Sequence, residues 1–78
     1  MTYYCEVLKV LKAKEKNWTE FAQTETLLKA LTEVTKYTEE RTANWLYKGW
    51  KVRIVQAPFE KNPPKVVFKM TFKDGRWM

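Results

Sequence analysis

The chain has 78 residues, 45% of them hydrophobic and 15% aromatic, with a formal charge of +6. That composition describes one small domain, too apolar for a disordered chain and without the roughly eighteen consecutive apolar residues of a membrane-spanning helix. Histidine is absent and Cys5 is the only cysteine, which removes the commonest general base and metal ligand and any internal disulfide.

The N-terminus, MTYYCEVLKV, has no basic head followed by an apolar block, so no secretory leader is predicted and a cytoplasmic setting is expected. No CxxC, HExxH, GxGxxG or P-loop pattern occurs. Together with the scattered carboxylates, this points away from an enzyme and from a bound metal or cofactor. Charge is unevenly placed. Residues 1–47 carry seven Lys/Arg and seven Glu, whereas residues 48–78 carry eight Lys/Arg against Glu60 and Asp74. An excess confined to the last third suits a polyanionic partner; a solvated, solubilising surface is the plainer explanation.

In chain order, residues 3–14 fit two templates. As a helix, Tyr4, Val7, Leu8 and Leu11 make an i, i+3, i+4, i+7 stripe. As a strand, Tyr3, Cys5, Val7 and Leu11 share a side that Lys9 interrupts. The helical template is preferred. Residues 15–23 form a connector, with Trp18, Phe21 and Ala22 in the core. Residues 24–34 read as a short helix capped by Thr24 or Thr26, with Leu27, Leu28, Leu31 and Val34 on its apolar side.

A turn at Thr35 to Thr38 then leads to a second capped helix. Thr38 is its N-cap, Glu39 and Glu40 lie in its first turn, Lys48 in its last, and Gly49 stops it. Trp45 and Leu46 are expected to be buried, along with Leu31 and Phe68. From Trp50 the period changes from 3.6 to 2. Trp50, Val52 and Ile54 face one side, and Lys51 and Arg53 the other. After the loop FEKNPP, Val66, Phe68, Met70 and Phe72 share a side, opposite Lys65, Val67, Lys69, Thr71 and Lys73. Two such runs make a β-hairpin with one apolar and one basic face. Asp74-Gly75 is a turn before a short tail.

The order helix, helix, turn, helix, hairpin, carried by Leu27, Leu31, Tyr37, Thr38, Thr42, Trp45, Leu46 and Lys48-Gly49, resembles the winged helix-turn-helix superfamily. The resemblance implies an α+β domain of three short helices followed by a β-hairpin. The alternative is β-α-α-β-β with a three-stranded antiparallel sheet. The resemblance also implies a non-enzymatic regulator that binds duplex DNA, its second motif helix in the major groove and its hairpin on the backbone. Arg41 and Asn44 are then candidates for base edges. Lys36, Lys48, Lys51, Arg53, Lys61, Lys65, Lys69 and Lys73 are candidates for phosphates. RNA is the alternative nucleic acid. A protein-interaction or inhibitory module using an exposed sheet edge is the alternative function, and homodimerisation is left open. No membrane partner is expected.

Overall fold

The computed structural model describes residues 2–9, 18–41, 47–57 and 65–78. Among these residues six elements follow one another: β1 (Thr2–Leu8), β2 (Thr19–Thr24), α1 (Leu27–Glu39), β3 (Lys51–Ala57), β4 (Lys65–Lys73) and β5 (Arg76–Trp77). The strands lie in the order β2-β1-β3-β4-β5, every neighbouring pair antiparallel. Helix α1 packs against β1, β2 and β3. No helix among the described residues is long and apolar enough to cross a membrane.

This architecture overturns the expected three helices and hairpin. It also has two strands more than the three-stranded alternative. The preferred helix over residues 3–14 is replaced, across its described part, by β1. Lys9 does not interrupt that strand; it follows the last residue, Leu8. Cys5 and Val7 are buried under α1, and Tyr4, Glu6 and Leu8 alternate to the other face, as the period of two requires. A short apolar run fits both periods, and here the pairing of β1 with two strands decides. The expected connector at residues 15–23 likewise ends in β2.

Thr26 caps α1, its Oγ1 accepting from Lys29 N at 3.2 Å. The helix then runs through Thr35–Thr38, where a turn was expected. Threonine is a weak helix former, but three of these hydroxyls bond within the helix. Thr32 donates to Leu28 O at 3.0 Å, Thr35 to Leu31 O at 2.9 Å and Thr38 to Thr35 O at 3.1 Å. Thr38 is therefore a buried helical residue and not a cap. The helix closes at Glu40, whose N–H donates to Lys36 O at 3.2 Å. Glu39 and Glu40 thus stand at a helix C-terminus, where the dipole disfavours them. The buried stripe is Ala30, Val34 and Thr38, while Leu28 is 75% exposed. Residues 42–46 lie outside the described residues, and with them the expected burial of Trp45 and Leu46.

The hairpin strands β3 and β4 form where the period of two places them, with one change of register. Ile54 opposes Phe68 but Val55 opposes Val66, so Val67 is an extra residue in β4. A matching bulge in β2 leaves Phe21 between Glu20, opposite Glu6, and Ala22, opposite Cys5. Each bulge lets two consecutive apolar residues turn toward α1, Phe21 with Ala22 and Val67 with Phe68. All four pack against the buried cluster of Cys5, Val7, Ala30, Val34, Trp50, Val52 and Ile54. Leu31 and Phe68 are half-buried at its border. Beyond it, Tyr47, Trp50, Phe72 and Trp77 join ring to ring, with centroids 4.7–6.1 Å apart.

Candidate nucleic-acid interface

The basic residues are organised on the sheet face away from α1. Alternation puts Lys51 and Arg53 of β3 on that face, since Val52 and Ile54 point into the core. Lys69 stands directly opposite Arg53, and Thr71 opposite Lys51. Lys73 continues the same side of β4. The turn after it has two central residues of positive φ, Asp74 at 55° and Gly75 at 81°. Two such residues match the right-handed twist of the strands they join. The turn sets Arg76 of β5 opposite Lys73.

Across the sheet, one row reads Glu20, Glu6, Arg53, Lys69. The face is therefore divided. Its β2-β1 half carries carboxylates, and its β3-β4-β5 half carries Lys51, Arg53, Lys69, Lys73 and Arg76. The three strands of the basic half contain no acidic residue.

At the seam, Arg53 Nε donates to Glu6 Oε1 at 2.7 Å, and its guanidinium lies 4.1 Å from the centre of the Trp18 ring. Both carboxylate and arginine are partly shielded from water, which strengthens the pair relative to an exposed one. Arg53 is thus held in place by two partners and supports the seam. The exposed lysines on either side of it carry the free charge. Lys48 adds another cation at the rim. It occupies the tip of a turn closed by Trp50 N donating to Tyr47 O at 2.9 Å, with Gly49 at φ 85°.

Other expected site residues are placed elsewhere. Lys36 is exposed on α1, 3.9 Å from Glu33. Lys65 and Lys69, four apart, were expected to share a face. The extra residue Val67 separates them, because Lys65 opposes Gln56 and Lys69 opposes Arg53. Arg41 follows the end of α1. Its guanidinium covers the Tyr37 ring at 3.8 Å and donates to Tyr37 O at 3.2 Å. Its carbonyl accepts from Trp77 Nε1 at 3.1 Å. It ties the helix end to β5. Burial pushes the Tyr37 hydroxyl above its ordinary range, against the lowering effect of Arg41. Asn44 and Lys61 lie outside the described residues.

Reading the chain as a sequence missed Arg76, Glu6, Glu20 and Trp18 as parts of this face. The signal for Arg76 was present: Lys73-Asp74-Gly75-Arg76 has the Asp-Gly pair of a two-residue hairpin. The other three depend on β1 being a central strand. Among the described residues, no group of three or more His, Cys, Asp or Glu could hold a metal ion. Neither a family model, nor a curated protein, nor a solved structure matches this chain.

Proposed function

We propose that the chain binds nucleic acid through the basic half of the sheet face away from α1, contacting phosphates without reading base sequence. The observation that carries this reading is the run of three adjacent strands without a carboxylate, on which Lys51, Lys69, Lys73 and Arg76 point the same way beside Lys48. Cations spaced over a sheet meet a regularly charged backbone, and release of its counterions drives association. The outward surface of α1 mixes Lys29 and Lys36 with Glu33 and Glu39, which suits solvent better than a major groove. Of the two arginines on the basic half, Arg53 is engaged by Glu6, which leaves Arg76 of the short β5 as the one planar pair of donors beside four lysines that contact phosphate as point charges.

A salt series with labelled duplex DNA, single-stranded DNA and RNA tests the reading. Engaging about five phosphates gives a log–log salt slope near −4 to −5 on duplex. Replacing Lys51 and Lys69 together by Glu is expected to abolish binding at moderate salt, and Lys36→Glu to leave it nearly unchanged. Equal losses from both would refute a role specific to the sheet face.

A second reading is favoured by a separate observation. Among the described residues β2 pairs only with β1, and a groove of about 400 Å³ lined by Ala22, Gln23, Thr24, Lys29, Thr32 and Glu33 runs between it and α1. A partner polypeptide adding a strand there would take its affinity from backbone hydrogen bonds. Gln23→Pro would block that addition and spare nucleic-acid binding.

A further inference from the structure

We infer that a hollow at the end of the β3-β4 ladder receives one unpaired nucleotide. The inference rests on the nucleic-acid reading and narrows it to strands with at least one unpaired position. The hollow has a volume of about 290 Å³ and is lined by Lys48, Gly49, Thr71, Phe72, Lys73 and Asp74. Its origin is local. The ladder continues past β3, with Gly49 N donating to Phe72 O at 3.1 Å and Phe72 N to Trp50 O at 2.8 Å. Both bonds end on Phe72, so Gly49 and Trp50 together oppose that one residue as a glycine bulge, and Gly49 has no side chain to fill the space beside it. The positive φ of 85° that the turn demands keeps a glycine there.

The lining suits a base with its phosphate. Its surface is mainly apolar, and lysine side chains of the kind that line it offer methylene stems on which a flat ring can lie. Lys48 and Lys73 place two ammonium groups at the rim, within the same basic half-face, where a phosphate is favoured. Asp74 is the one acid present. It opposes a bare anion, but its carboxylate accepts a hydrogen bond from an exocyclic amino group, as acids do from cytosine N4. A paired, stacked base cannot leave its helix without losing those contacts. An unpaired one can, so single strands are preferred.

Two measurements decide it. Backbone amide NMR during titration with cytidine 5′-monophosphate is expected to move Gly49, Thr71, Lys73 and Asp74 at millimolar ligand, with inorganic phosphate moving them much less. Equal shifts with phosphate, or none with the nucleotide, overturn the proposal. In parallel, oligo-deoxycytidine is expected to bind more tightly than duplex of equal length. The double variant Lys48→Ala/Lys73→Ala, folded by circular dichroism, should lose roughly tenfold on the single strand, with a salt slope shallower by about 1.4. If the wild type binds both forms alike and the variant weakens both alike, the hollow is not a nucleotide site and the face remains a backbone binder. If the wild type binds neither form while the nucleotide still moves those amides, the face reading fails and the hollow stands as a mononucleotide site.

Discussion

Cys5 shows how one side chain records its surroundings. It is fully buried, and its thiol donates to Ala30 O at 3.6 Å. Burial first, and then the charges of Glu33 and Glu20, push its pKa from 9.0 to about 11. The unfolded thiol ionises near its ordinary value, so between pH 9.0 and about 11 the unfolded chain releases a proton that the folded one keeps. The Cys5 contribution to stability is therefore complete below that window and lost as pH rises through it. Denaturant midpoints from pH 8 to 11 are expected to fall more steeply for the native chain than for Cys5→Ala. Iodoacetamide should label the native thiol only at the rate of unfolding. Arg53 is the second such residue. Arg53→Ala leaves Glu6 facing Glu20 without its cation and uncovers Trp18. A loss of about 1–3 kcal/mol is expected in chemical denaturation. Arg53→Lys should recover only part of it, since an ammonium cannot both pair with Glu6 and lie flat on the indole.

At the scale of elements, the strands of the hairpin were legible because alternation of apolar and basic residues persists through both. What alternation could not reveal is a bulge. Val66 was assigned to the apolar side and is instead 43% exposed, because Val67 takes its place against the core. A single inserted residue flips every assignment on one side of it. The helix-turn-helix outline failed for a related reason. Thr38 followed by Glu39 and Glu40 has the chemistry of a helix start, yet a threonine whose hydroxyl bonds inside the helix gives the same letters. Only the packing of Ala30, Val34 and Thr38 as one stripe distinguishes the two. The basic residues of the site were legible as a group; their division between faces was not. Thr26→Ala is expected to cost about 1 kcal/mol through loss of the cap, measured by denaturation. Phe72, buried among Tyr47 and Trp77, is expected to cost about 3–5 kcal/mol on truncation to Ala. An unchanged melting temperature for that variant would mean the aromatic cluster is absent in solution.

At the scale of the molecule, the described residues comprise one helix of 13 residues on a five-stranded sheet, which predicts a far-ultraviolet circular dichroism spectrum dominated by strand. A spectrum of a half-helical protein would contradict the architecture. Among the described residues the helix lies on one face of the sheet, and the other face divides into a half with Glu6 and Glu20 and a half with five Lys and Arg, so its charge is unevenly placed. Association with a polyanion is then expected to be oriented as well as fast, with a rate that falls as ionic strength rises. Stopped-flow association at several salt concentrations measures this directly.

The position of β1 has a consequence for how the chain reaches this state. It precedes the other described strands in the chain and lies between β2 and β3, and its Val7 meets Val52 across the whole of the helical segment. The β1-β2 hairpin and α1 can assemble early from near neighbours, but the sheet closes only once β3 arrives from beyond α1 in the chain, a contact of long sequence separation. That closure is expected to limit the refolding rate. Val52→Ala should then slow refolding, whereas a truncation in the late-added β5, such as Trp77→Ala, should mainly speed unfolding. Stopped-flow chevrons of the two variants would show the difference in opposite limbs.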